Sequence, residues 1–242
     1  MTPVKVGLCG AGMALTSYAQ RFPVLEVQQT FYEPPRETTL RRWRADVPPA
    51  FEFTIKAWQL ITHEARSSTY RRLRTPLSDE ERTQVGGFRW TPVVERAWET
   101  TLACAAILEA TAILLQCPAS FRPTEPAIAR MRVFLSKAPR PVGVRLLWEP
   151  RGPWPDDVVR GLCEELDLTH AADPFLRPSL TPMAYYRLHG IGGAGHVYTE
   201  AELARLAETV GAGPAYVMFN NIPRATDAGR FSRLVRRDGP NQ

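Results

Sequence analysis

The residues of this chain best suited to moving protons are Lys56, Glu149, His189 and Glu26, each lying at the end of a short apolar run. His189 closes the stretch Tyr185-Tyr186-Arg187-Leu188-His189-Gly190. Imidazole titrates nearest neutrality, so it is the natural acid or base. Arg187, two residues earlier, shares its face if the stretch is a strand. Lys56 stands out because Lys5, Lys56 and Lys137 are the only lysines against 30 − 3 = 27 arginines. An ammonium can lose its charge when desolvated, whereas a guanidinium does not. The bland alternative is a lysine paired with Glu26 or Glu149.

Glu26, Glu149 and Asp173 have the chemistry of acids, bases or metal ligands. Facing Arg151, Arg187 and Lys56, they could equally form a self-satisfied charge network. Around them Gln116, Asn220 and Asn221 offer amides to orient hydroxyls, and His63 lies in a long polar stretch that could close over the site. Behind His189 the run Gly190-Ile191-Gly192-Gly193-Ala194-Gly195 could bring backbone N–H groups to a phosphate, with Tyr198 just beyond. No H-x-H or H-E-x-x-H pattern occurs, so a divalent metal is compatible with the carboxylates but not clearly encoded. His170 and His196 read as packing or surface residues.

Positioning these groups calls for strands that end together. Apolar runs at Lys5–Cys9, Leu25–Phe31, Phe51–Ala57, Ala112–Cys117, Val142–Trp148, Leu168–Ala172, Ala184–His189 and Ala215–Asn220 predict eight strands. Helical periodicity falls between most of them: Ala14–Phe22, Arg36–Val47, Pro92–Ala110, Thr124–Leu135, Asp156–Leu166, a segment from Thr199, and Asp227–Arg236. Thr199-x-x-Glu202 resembles a capping box one residue off ideal spacing. Eight β/α units in 242 residues predict a single domain, a (β/α)8 TIM-type barrel, with reacting groups at the carboxyl ends of the strands. Residues 58 to 91 form a long excursion after the third strand, with one helical turn near Ser78–Thr83. The three prolines between Asp173 and Pro182 leave only a short connection after the sixth.

Composition is that of an ordinary globular protein, 44% hydrophobic and 23% charged. The apolar runs are too short to span a membrane, no leader precedes them, and Cys9, Cys104, Cys117 and Cys163 lack paired spacing, so a cytoplasmic protein with reduced thiols is expected. The net charge of +5 permits an anionic partner without requiring one.

An ordered series of short motifs runs from about residue 5 to 236. It comprises Glu26-Val27-Gln28-Gln29-Thr30-Phe31-Tyr32, Lys56-Ala57, Ile61-Thr62-His63, Gln116-Cys117-Pro118-Ala119-Ser120-Phe121 and Trp148-Glu149-Pro150-Arg151. Ala172-Asp173, Tyr186-Arg187-Leu188-His189-Gly190, Tyr198-Thr199 and Phe219-Asn220-Asn221 follow. This series resembles the domain of unknown function 72 family of YecE-like barrels. The resemblance implies a TIM-type barrel with a polar cleft at these positions and no settled activity. A likeness of such barrels to metal-dependent sugar isomerases and abasic-site nucleases implies sugar or nucleic-acid ligands. The chain departs from the family at Gly7-Leu8-Cys9-Gly10-Ala11-Gly12, where Gly-Thr-Ser-Gly-Trp-Ser-Tyr is common. It departs again at Gln28-Gln29 in place of Asn-Ser, and at Gly152 where a histidine often follows the arginine.

Two functions follow as expectations. The first is an enzyme using acid–base chemistry, with or without a metal, on a phosphorylated or otherwise anionic sugar or nucleic-acid fragment. Lys56, Arg151 and Arg187 would hold the anion, Glu149 or Glu26 would act as base and His189 as acid. The second is a non-catalytic nucleic-acid binder in which Arg66 to Arg89, with Tyr70, Phe88 and Trp90, lines a groove.

Overall fold

The structure, a computed structural model, describes residues 4–211 and 213–237. Eight parallel strands close into one barrel in sequence order: β1 Lys5–Cys9, β2 Val24–Val27, β3 Glu52–Lys56, β4 Ala112–Gln116, β5 Arg145–Glu149, β6 Thr169–Ala172, β7 Ala184–Leu188 and β8 Ala215–Phe219. The register pairs Cys9 with Glu26 and Gln116 with Glu149, which brings polar strand ends to one level.

Alternation along the strands sorts the side chains. Cys9, Val24, Ala112, Leu114, Leu147, Ala171, Tyr185 and Met218 pack together inside the barrel. Their neighbours Leu8, Leu25, Ile113, Leu146, Trp148 and Phe219 belong to the larger core beneath the helices. Continuing the inner phase by two residues per step gives Glu26, Lys56, Gln116, Glu149, Arg151, Asp173, Arg187, His189 and Asn220. Asn221 and His170 fall on the other phase.

Helices α1 Leu15–Ala19, α2 Gln29–Tyr32 and α3 Glu37–Ala45 follow the first two strands. Beyond β4 come α7 Glu125–Lys137, α8 Asp156–Glu165, α9 Glu200–Val210 and α10 Arg224–Arg237. The expected strand to Phe31 stops at Val27, and residues 29–32 coil into α2, where the Thr30 hydroxyl donates to the Lys56 carbonyl at 2.7 Å. The fifth strand starts at Arg145, three residues later than expected, since Gly143 adopts a positive φ of 77° that breaks the extended run. The Thr199–Glu202 capping box is complete: the Thr199 hydroxyl accepts from the Glu202 N–H at 3.2 Å and the Glu202 carboxylate from the Thr199 N–H at 2.7 Å.

The excursion after β3 is built rather than loose. It contains α4 Gln59–Thr62, a 3-10 turn at Ser68–Arg72 and α5 Asp79–Gln84, before the long α6 Pro92–Leu108. The N–H groups of Gly86 and Phe88 donate to the carbonyls of Leu60 and Ile61 at 2.7 and 3.0 Å. A Cβ on Gly86 would come within 2.4 Å of the His63 and Glu64 backbone, so glycine is required for that approach. Phe88 is fully buried against Phe121 and Phe134. No helix separates β6 from β7, as the prolines predicted.

At the β1–β2 seam a side chain enters the ladder. The Tyr18 hydroxyl, carried by α1, accepts from the Leu8 N–H at 2.8 Å and donates to the Val24 carbonyl at 2.7 Å. Among the described residues no helix is long and apolar enough to cross a membrane, and all four cysteines are buried free thiols.

Candidate active site

Arg187 forms the floor. Its Nε donates to Glu26 Oε2 at 3.0 Å, its Nη2 to Glu26 Oε1 at 2.7 Å, and its Nη1 to Glu149. Tyr185 adds a hydroxyl bond to Glu26 Oε2 at 2.8 Å, and Thr54 stands 2.8 Å behind Tyr185. Burial alone would raise both carboxyls, but the guanidinium overrides it, holding Glu26 below and Glu149 well below the usual range. Both therefore stay ionised. Arg187 is 1% exposed and its donors are spent on the two carboxylates, so the anion-holding place expected for it is not open. This is the arrangement of the charge-network alternative for Glu26 and Arg187.

Above the floor sits His189. Its Nε2 lies 2.9 Å from Glu149 Oε1, and the Asn220 amide lies 3.0 Å from its Nδ1. The Glu149 contact calls for a proton on Nε2, whereas the Arg151 guanidinium, which can only donate, calls for a lone pair there, so the two partners compete for the same ring nitrogen. Asp173 accepts the His189 backbone N–H at 3.0 Å and that of Phe175 at 3.0 Å, so it anchors the end of β7. Arg151 reaches Glu149 at 3.2 Å and lies against the His189 ring with Nη2 2.8 Å from Nε2. Its side chain is 39% exposed, so this arginine can meet a ligand.

Lys56 projects from β3 into the same space. Its Nζ donates to Gln116 Oε1 at 2.8 Å and sits 3.8 Å from the Phe31 ring centroid. Burial and the positive charge of Arg187 lower its pKa to about 7 against the pull of Glu26 and Glu149. A buried amine near half-protonation at neutral pH is poised to exchange protons.

Six other expected residues are placed differently. Asn221, on the outward phase, is buried and donates to Asp227 at 2.7 Å and to the His196 carbonyl at 2.9 Å. It fastens the loop rather than facing the mouth. Tyr198 is 1% exposed, and its hydroxyl accepts the Gly190 N–H at 3.0 Å, removing that donor from any phosphate cradle. Gly192 and Gly193 have open space around them, whereas Gly190, at φ 91°, leaves no room for a Cβ beside the Gly193 carbonyl. His63 is buried edge-on to Phe31 with Nδ1 2.8 Å from Thr62 Oγ1, and burial pushes it down to about 3. It does not close over the site as an acid. Sequence reading missed Tyr185 and Thr54, which the inner-phase rule would have found; Gln28, two residues beyond Glu26, donates to it.

Glu149, Arg151, Asp173 and His189 open onto a cavity of about 410 Å³ that runs toward Trp154 and Leu176. The donor set does not fit a metal. Glu26 and Glu149 share one guanidinium, and among the described residues no three His, Cys, Asp or Glu side chains converge as ligands. The aromatics expected to line a nucleic-acid groove are also committed elsewhere. Phe88 is core, Trp90 packs on Phe134, and the Tyr70 hydroxyl donates to the His63 carbonyl at 2.8 Å.

A family model described as "Protein of unknown function DUF72" matches residues 8–240. A DUF72 protein from Enterococcus faecalis V583 superposes with a TM-score of 0.72 at 20% identity, over 98% of this chain and 98% of that one. A DUF72 protein from Thermotoga maritima MSB8 gives 0.66 at 17%, over 96% and 99%. The barrel is also similar to a D-psicose 3-epimerase crystallised in the presence of D-fructose, with a TM-score of 0.59 at 11%, over 96% and 98%. No curated protein matches the chain in sequence.

Proposed function

Since the chain belongs to the DUF72 family, whose name assigns no reaction, we propose from its site that it is an acid–base enzyme acting on a small anionic substrate, a phosphorylated sugar or nucleic-acid fragment. The observation that carries this reading is the His189–Glu149 pair at 2.9 Å, held beside Arg151 and Asn220 and open to a cavity. Glu149 is too strongly stabilised as a carboxylate to be a good base. It instead orients the His189 ring, whose nitrogens, now contacted by Arg151 and Asn220, exchange a proton with a substrate that displaces those partners. Lys56, at about 7, is the second proton-transfer group. Arg151 with protonated Lys56 supplies the charge for the anion, and Gln116 and Asn220 orient its hydroxyls. The epimerase barrel supports proton exchange at a carbon beside a carbonyl as the first reaction to try, through fold likeness alone.

The test is deuterium uptake from D2O into a panel of ketose and aldose phosphates and abasic-site oligonucleotides, read by mass spectrometry with wild type, His189→Gln and Lys56→Met. Uptake or turnover by wild type, reduced at least ~100-fold in His189→Gln with an unchanged circular dichroism spectrum, is expected. Equal behaviour of the folded variants and wild type across the panel sinks the reading. Steeply salt-dependent oligonucleotide binding without turnover would favour the non-catalytic alternative.

A further inference from the structure

The cavity onto which the His189–Glu149 pair opens is also lined by a histidine that the reaction does not use. His170 sits on the outward phase of β6, where the ring of helices is interrupted because only residues 173–183 join β6 to β7. The ring is 1% exposed. Its Nδ1 accepts the Leu180 N–H at 3.2 Å, which places the ring proton on Nε2, and that Nε2 has no hydrogen-bond partner. Buried donors without partners are rare because each forfeits the bond it had with water.

The rest of the lining narrows what could meet this donor. Pro150, Trp154, Ala171, Ala172 and Leu176 make the wall apolar. Arg177 is held by Asp156 and, at 3.0 Å, by the Trp154 carbonyl, so it is not free to bind an anion. The Asp173 carboxylate, also in the lining, opposes a second negative charge. Burial pushes His170 down to about 4, so at neutral pH it donates as an uncharged group.

We propose that this cavity is a binding subsite for an uncharged aryl or alkyl extension of the substrate bearing an oxygen acceptor for the His170 Nε2–H. The inference rests on the proposed function only in placing the reacting end of that substrate at His189; the subsite itself follows from the cavity and its unpaired donor. The substrate class it selects is an anionic polyol conjugated to an apolar group, with a carbonyl or ether oxygen on the apolar part.

Binding is tested without turnover, so a failure of the proposed reaction leaves it readable. Acetophenone and its oxygen-free counterpart ethylbenzene are titrated into protein carrying 15N-histidine, and the His170 Nε2–H resonance is followed. Acetophenone should bind saturably and shift that resonance downfield, ethylbenzene should bind without the shift, and His170→Phe should weaken acetophenone by about tenfold while leaving ethylbenzene within about twofold. Absence of saturable binding by both probes overturns the proposal. So does acetophenone binding that leaves the wild-type His170 resonance unmoved, a readout that holds even if His170→Phe fails to fold. Should the binding appear and the deuterium uptake fail, the subsite stands and the reaction does not.

Discussion

The most informative single residue is Lys56, because its charge state is set by where β3 leaves it. In the unfolded chain an ammonium titrates near 10.5, whereas in the fold burial and Arg187 bring it to about 7. Between these values the folded protein binds fewer protons than the unfolded one, so stability rises with pH through that window. Below pH 7 both states are protonated and the full penalty of burying the charge applies. Denaturant unfolding at pH 7, 8, 9 and 10 should therefore show wild type gaining stability relative to Lys56→Met as pH rises. A constant difference between the two would mean that Lys56 is not desolvated. Arg187 shows the opposite case: its two carboxylates keep it charged at every accessible pH, and its presence makes ionised Glu26 and Glu149 tolerable inside a barrel.

At the level of elements, the loop behind β7 owes its shape to two devices. Tyr198 holds the Gly190 N–H, and Gly190 occupies a left-handed conformation with the Gly193 carbonyl 2.2 Å from where a Cβ would lie. Gly190→Ala should cost roughly 2–3 kcal/mol and move the attached His189, while Gly192→Ala, strained but unobstructed, should cost about 1 kcal/mol. Thermal unfolding of the two variants side by side checks the ordering. The strands and most helices were legible because apolar runs of about five residues alternate with amphipathic ones, and the inner phase picked out Glu149, His189, Lys56 and Asn220. What was not legible depended on partners distant in sequence. That Arg187 would be consumed by Glu26, 161 positions away, leaves no mark on a local pattern. The helical turn at Gln29–Tyr32 was hidden because Thr30 and Phe31 also suit a strand. His170 was dismissed because the vacancy beside it arises from a helix that is missing.

For the molecule as a whole, the excursion of residues 58–91 is an extension of the barrel's outer core. Phe88→Ala should lower unfolding stability by about 3–5 kcal/mol, since it empties a site enclosed by Phe121 and Phe134. A surface groove residue would cost almost nothing. Global denaturation distinguishes the two, and a change under ~1 kcal/mol would return Phe88 to the list of residues able to stack on a base.

The hydroxyl of Tyr18, lodged between Leu8 and Val24, also bears on the order of assembly. A direct bond between those two peptide groups would let the first two strands zip together on their own. Here the bridging atom arrives on the intervening helix, so that part of the seam cannot be completed until the helix has docked. Local strand pairing and helix packing become one event at the N-terminal edge, and the cooperativity of the barrel is in part written into one phenol.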